Sequence, residues 1–265
     1  MSFSLTWLPT VLLDAGLKVA ECPGWANLGR AEMGTVEGVL CHHTATTIRS
    51  GNMPSLNTII HGRSGRDALP GPLAQLGLGR DGTYYIIAAG KCNHAGPGIW
   101  KGITGGNTHF IGIEAENVGD GSEPWPEVQM DAYARGVAAI LKHINRGAEF
   151  CAGHKEYRLP IGFKNDPNFD MNDFRRRVQD IMDGRSAPVV IPKEEPAGLI
   201  RQTLRRGKAN DAELVKIVQQ KLGLTVDGFF GPITEAAVRE FQRGKGLVAD
   251  GIIGPKSWAI LDTIA

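Results

Sequence analysis

The sequence Cys41-His42-His43-Thr44 places two adjacent histidines at the end of an apolar run. Imidazole nitrogen is a common zinc ligand. Successive side chains of a strand point to opposite faces, so if the strand extends this far only one of the two histidines can face a given site. The pair alone does not decide which histidine that is, or whether either one binds a metal.

A downstream stretch, "GHKEYRLPIGFKNDPNFDM", offers further donors. His154 stands at the end of a strand-like run, Asp166 follows in a proline-containing loop, and Lys164 lies just before it. Histidine and aspartate both bind zinc, and a catalytic zinc site has three protein ligands and one open position. The alternative interpretation of this stretch is a charged surface loop without a metal.

The elements that must position these residues alternate between strands and helices. Strands are predicted in "EGVLCHHT", "HFIGIEAEN" and "EFCAGH", and a hairpin around Asp81-Gly82. Helices are predicted in "PEVQMDAYARGVAAILKHIN" and "DMNDFRRRVQDIMD". The pattern predicts an α/β domain with a mixed central sheet flanked by helices.

The end of the chain contains an internal repeat, "LTVDGFFGPITEAAV" and "LVADGIIGPKSWAIL", with helical periodicity before each copy. It predicts a small all-α domain of three helices at residues 201–265. A stretch rich in proline and charge at residues 183–200 is interpreted as a linker. Residues 1–182, including a leader at 1–35, are then expected to form the domain that carries the candidate donors and would be the catalytic domain if they bind a catalytic metal.

The motifs "HHTA", "RDGT", "NHAG", "IGIEAEN" and "GHKEY…KNDPNFDM" occur in this order. Together they resemble the zinc-dependent N-acetylmuramoyl-L-alanine amidases of type 2, a family that includes the peptidoglycan recognition proteins. The repeat at the end resembles the small helical peptidoglycan-binding domain of cell-wall hydrolases. The resemblance implies a zinc cleft with Zn²⁺ held by His42, His154 and Asp166, and it favours His42 over His43.

Amide hydrolysis by a metal-activated water also needs a carboxylate that takes a proton and passes it to the leaving amine. Strand alternation puts Glu114 and Glu116 on one face. The family's acid falls on Glu114; Glu116 is the second candidate base, or else a partner of a cation or backbone amide. The family's lysine falls on Lys164, which would stabilise the oxyanion; the alternative is a surface lysine.

Three further residues are expected to contact the substrate. His94 lies in a glycine-rich loop and is interpreted as part of the cleft wall, or else as a plain loop histidine. Asn93 stands where the amidases often have tryptophan, which puts the local shape of the cleft in question. His109 is the third candidate. The four cysteines are widely spaced and are interpreted as buried free thiols.

The leading hypothesis is a peptidoglycan hydrolase that cuts the amide between N-acetylmuramic acid and L-alanine. The alternatives are a non-catalytic peptidoglycan-binding protein and a zinc peptidase acting within the stem peptide. With a net charge of +1 and no long apolar run, bacterial peptidoglycan is the expected partner, not nucleic acid or membrane. We expect a monomer made in the host cytoplasm without a signal peptide and acting on the wall after release. A phage endolysin fits this expectation, as does a bacterial recycling amidase.

Overall fold

The computed structural model describes residues 2–49, 51–187 and 202–264. They belong to two compact units, Met1–Val189 and Val190–Ala265. Most of the linker interpreted at 183–200 lies outside the described residues. No helix in the described ranges is long and apolar enough to cross a membrane.

The first unit is built on a six-stranded sheet. Its strands are β1 Val19–Glu21, β2 Gly38–His43, β5 Leu76–Leu78, β6 Tyr84–Ile86, β7 Phe110–Ala115 and β8 Cys151–Gly153. Across the sheet they lie in the order β1-β6-β5-β7-β2-β8. β5 and β6 are antiparallel, as the hairpin at Asp81-Gly82 predicts, and the other neighbours run parallel. The mixed sheet is therefore confirmed. A separate two-stranded ribbon pairs β3 Gly62–Arg63 with β4 Leu69–Pro70.

Helices flank this sheet, as expected for an α/β domain. Their bounds are α1 Leu8–Asp14, α2 Leu56–His61, α3 Gly106–His109, α4 Glu127–His143, α5 His154–Tyr157 and α6 Met171–Met182. The long helix α4 covers the sheet, with α1 and α6 packed beside it. Asp170 caps α6 by accepting hydrogen bonds from two backbone amides of its first turn, which explains why the helix begins there.

The core lies between α4 and the sheet. Every residue of β2 is buried, as expected for a parallel strand covered on both faces. Val39 and Ile111 of neighbouring strands pack in one cluster with Tyr133 and Val137 of α4. The four cysteines are all buried and free, in agreement with the interpretation of their spacing.

The second unit has three helices within its described residues, α7 Ala212–Lys221, α8 Pro232–Gly244 and α9 Pro255–Leu261, as predicted. The two copies of its sequence repeat form the same network of side-chain hydrogen bonds. Gln219 on α7 donates to Asp227 and Thr234 across the first Asp-Gly turn, and its carbonyl oxygen accepts from the turn's backbone amides. Gln242 on α8 makes the equivalent bond to Asp250. Each turn is thereby fixed to the helix before it.

Candidate metal centre

Three side chains from the predicted set converge on one point. His42 Nδ1 lies 3.1 Å from His154 Nδ1 and 3.1 Å from Asp166 Oδ2, and His154 Nδ1 lies 3.0 Å from the same oxygen. All three residues are buried. Within the described ranges they form the group of donors that could hold a metal ion.

The sheet brings the two histidines together. β2 and β8 are parallel neighbours in which Cys41 pairs with Gly153. The next residue of each segment, His42 or His154, therefore lies at the same edge of the sheet. That edge is the carboxyl end of the strands, where ligands of α/β sheets commonly bind. Asp166 is brought back by the loop after α5, where its carbonyl accepts a 2.7 Å hydrogen bond from the Lys155 amide.

The protonation state of this cluster suits a metal. Burial, followed by the charge of His154, lowers the pKa of His42 to about 4. Burial alone would raise the pKa of Asp166, but hydrogen bonds from His154 and His42 hold it well below its usual range. At neutral pH the site therefore offers a neutral His42 imidazole and an ionised carboxylate, the forms that bind metal.

The donor set fits zinc. Two imidazole nitrogens and one carboxylate oxygen are the ligand types of a catalytic zinc site with an open position. Bonds of about 2.0–2.2 Å in a tetrahedron put ligand atoms roughly 3.3 Å apart. The observed separations of 3.0–3.1 Å are close to that value, so only a small outward movement would admit the ion.

His43 does not join this cluster. Its ring lies under Gly119, where an added Cβ would come within 2.2 Å of His43 Nε2. Its Nδ1 has no hydrogen-bond partner within the described part of the chain. His43 nevertheless lines the same cleft as His42, so it lies near the donors without contributing an atom to the cluster.

The cluster opens into a cleft of about 660 Å³ that Glu114 and Lys164 also line. Glu114 pairs with His42 in the register of β7 and β2, so its side chain stands beside the donors. Burial, then the charge of Asp166, raises the pKa of Glu114 well above its usual value. Glu114 Oε2 has no hydrogen-bond partner in the described ranges, so this oxygen is available to a ligand.

Glu116, the second candidate base, is engaged elsewhere. Its carboxylate accepts hydrogen bonds from the amide and hydroxyl of Ser55 and from the hydroxyl of Thr44, at 2.8–3.0 Å. It is fully buried and does not line the cleft. This arrangement matches the alternative interpretation of Glu116, as a partner of a backbone amide. Glu114 is therefore the candidate base whose carboxylate is available to a ligand.

The three expected substrate contacts lie in different places. His94 and Asn93 line the cleft, although the Asn93 amide also donates to the Pro70 carbonyl at 2.8 Å. His94 is buried against the cluster, with its Nδ1 3.1 Å from His42 Nε2. His109 does not line the cleft; its Nδ1 lies 2.9 Å from the Thr35 carbonyl oxygen. The structure thus does not bring His109 to the site.

Two residues that sequence reasoning missed hold the site from outside. The Tyr133 hydroxyl of α4 accepts from the His42 amide at 3.0 Å and lies 3.1 Å from the carbonyls of His42 and Ile113. Asn107 Oδ1 accepts from the backbone amide of His94. No motif in the sequence points to either residue, and the position of Tyr133 on its helix predicts only an ordinary core residue.

A family model described as N-acetylmuramoyl-L-alanine amidase matches residues 32–169. The chain belongs to this amidase family. A second model, of a peptidoglycan binding domain, matches residues 212–261. The amidase is therefore a peptidoglycan hydrolase that carries a peptidoglycan-binding domain, as the sequence motifs predicted.

Among curated proteins, the amidase is 58% identical over 86 residues to an uncharacterized protein in the bpoA1 3' region of Kitasatospora aureofaciens, covering 30% of this chain and 73% of that protein. It is 57% identical over 35 residues to the zinc D-Ala-D-Ala carboxypeptidase of Streptomyces albus G, covering 13% of this chain and 14% of the relative. The chain thus spans only a small part of the carboxypeptidase.

Solved structures similar to the amidase include an AmpD derivative, at 18% identity and a TM-score of 0.49, covering 67% of this chain and 99% of that chain. Another is the N-acetylmuramyl-L-alanine amidase AmiD from E. coli, solved with anhydro-N-acetylmuramic acid-L-Ala-D-gamma-Glu-L-Lys. That match has 18% identity and a TM-score of 0.44, and it covers 89% of this chain and 90% of the other.

Proposed function

We propose that the amidase is a zinc enzyme in which His42, His154 and Asp166 hold one Zn²⁺, and that it cuts the bond between N-acetylmuramic acid and L-alanine as a phage endolysin. The observation that carries the zinc assignment is the convergence of two imidazole nitrogens and one carboxylate oxygen within 3.1 Å of one another. Bound zinc supplies a Lewis acid that polarises the amide carbonyl and acidifies water.

Glu114 is the proton carrier of this proposal. Its unpartnered Oε2 takes the proton from the attacking water and then delivers it to the leaving amide nitrogen. The raised pKa of Glu114 suits both steps, because a base that is too acidic would not take the proton. Its position opposite His42 in the strand register keeps the carboxylate beside the reacting atoms.

Lys164 is the proposed oxyanion partner. It lines the cleft on the same loop as Asp166 and is only partly exposed. Its ammonium group would donate to the carbonyl oxygen as negative charge develops there.

The presence of Asp166 as third donor also favours an enzyme over a peptidoglycan-binding protein without activity.

Metal removal and restoration test the zinc assignment. Chelator-treated protein should not clear suspensions of purified cell wall, and one equivalent of Zn²⁺ should restore clearing. Glu114→Gln should bind zinc normally and clear the suspension at a rate lower by about 10²–10⁴-fold. Full clearing by zinc-free protein, or by Glu114→Gln, would overturn the assigned roles.

The endolysin assignment is supported by the peptidoglycan-binding domain, because tethering to a polymer raises the local concentration of substrate. A recycling amidase that acts on soluble fragments has no use for such a domain. Expression in the bacterial cytoplasm should leave cells intact until the inner membrane is permeabilised, and lysis should then follow within minutes. Lysis of cells whose membrane is intact would contradict this assignment.

A further inference from the structure

One loop, the segment after β6 that contains His94 and Ala95, contacts both histidines of the donor cluster. His94 Nδ1 lies 3.1 Å from His42 Nε2. The Ala95 carbonyl oxygen lies 3.0 Å from His154 Nε2. Two consecutive residues therefore partner the ring nitrogens that face away from Asp166.

The contact with Ala95 selects the tautomer of His154, and the contact with His94 constrains that of His42. A neutral imidazole has one N–H and one lone pair. The Ala95 carbonyl can only accept, so His154 Nε2 carries the proton and His154 Nδ1 keeps its lone pair for a metal. The contact between the His42 and His94 rings allows either ring to donate. His42 Nδ1 is free to bind a metal only when its Nε2–H donates to His94 Nδ1. The proton of His94 then resides on its own Nε2.

The structure fixes His94 in this place. The backbone amides of His94 and Ala95 both donate to Asn107 Oδ1, each at 2.8 Å. The His94 ring lies against Gly112 of β7, where an added Cβ would come within 2.7 Å of its Cγ. His94 is 8% exposed, and its ring stands nearly perpendicular to that of His42, at 86°. Such a ring cannot swing freely toward a substrate.

We propose that His94 is a positioning residue that holds His42 in the tautomer and orientation in which Nδ1 binds the metal, while the Ala95 carbonyl does the same for His154. This proposal rests on the proposed zinc centre and assigns His94 a role different from the substrate contact expected from sequence. Hydrogen-bond partners of metal-ligating histidines fix ring orientation and raise ligand basicity.

Zinc affinity of the full chain, measured by competition with a chromophoric chelator, tests the proposal. His94→Leu removes the acceptor and should weaken zinc binding by about 10–100-fold. His94→Asn can place an amide oxygen near the position of His94 Nδ1. This variant should bind zinc within about 3-fold of wild type, a smaller loss than the roughly 10–100-fold expected of His94→Leu. His109→Leu, which removes an imidazole outside the cleft, is the matched control and should leave affinity unchanged.

Wild-type zinc affinity in a folded His94→Leu variant would overturn the proposal. If that variant does not fold, ¹⁵N NMR of the wild-type zinc form decides instead: His42 should bind through Nδ1 and carry its proton on Nε2, and binding through Nε2 would refute the proposal. These failures differ from failure of the zinc centre itself, in which the wild-type protein would bind no zinc at all.

Discussion

His42 and Glu114 are paired residues of neighbouring parallel strands, so a donor of the cluster and the available carboxylate stand side by side. Strands β2 and β7 fix this spacing through their backbone register, with Gly112 two residues before Glu114 leaving room for His94. The sheet register therefore aligns Glu114 with His42, whereas the loop after α5 supplies Asp166.

Glu114→Gln should stabilise the metal-free protein at neutral pH. The pKa of Glu114 in the folded state is raised above its ordinary value of 4.5. At a pH between 4.5 and the folded-state pKa, the folded state therefore binds more protons than the unfolded state. Wild-type stability therefore falls, relative to the variant, as pH rises through 4.5. Urea unfolding at pH 4 and pH 7.5 should show that the difference in unfolding free energy between Glu114→Gln and wild type grows with pH. The same difference at both pH values would contradict the burial of this charge.

The ligand assignment predicts a pattern of zinc loss. Asp166→Ala and His154→Ala should each lose stoichiometric zinc, because two remaining donors bind the ion far more weakly. His43→Ala should keep it, since His43 lies under Gly119 and outside the cluster. Metal analysis after gel filtration provides the measurement. Loss of zinc from His43→Ala but not from His42→Ala would reverse the assignment.

Lys164→Met should keep zinc and bind substrate but lower kcat. Removing one donor to a developing oxyanion typically costs about 10²–10³-fold in kcat. Steady-state kinetics on a soluble muropeptide would measure the change, and Lys164→Arg should recover part of it because a cation is restored. An unchanged kcat in Lys164→Met would contradict the oxyanion role and support the alternative interpretation, in which Lys164 is a surface lysine without a catalytic role.

Gln219→Leu should unfold the second unit while leaving the first intact. The Gln219 side chain is 2% exposed and satisfies two backbone amides, of Asp227 and Gly228, that leucine cannot. Asp227 is exposed and Gly228 is part-buried, so each lost hydrogen bond costs about 0.5–1.5 kcal/mol. Wall pull-down should be lost while cleavage of a soluble muropeptide persists. Gln220→Leu, at the exposed neighbouring position, is the control and should still bind.

The donors could be predicted because their signals are local or ordered along the chain. The apolar run before His42 indicates a buried strand. Strand alternation allows only one of His42 and His43 to face a given site, and the family resemblance selects His42. The hairpin at Asp81-Gly82 and the repeated Asp-Gly turns of the second unit are equally local. For these features the structure agrees with the sequence.

The surroundings of the donors could not be predicted, because they depend on contacts between distant segments. His94 lines the cleft, but its contact with His42 depends on β7, which passes beneath the His94 ring at Gly112. His109 has the same residue type but faces Thr35 instead. Both outcomes depend on contacts between segments that lie far apart in the sequence.

The products of a defined digest test the central claim most directly. Zinc-loaded protein would be incubated with purified peptidoglycan, and the soluble and insoluble fractions analysed by mass spectrometry and N-terminal labelling. The account predicts intact stem peptides with a new N-terminal L-alanine and glycan strands with free lactyl carboxylates. Stem peptides cut at an internal bond, or wall left unchanged by the zinc-loaded protein, would contradict it.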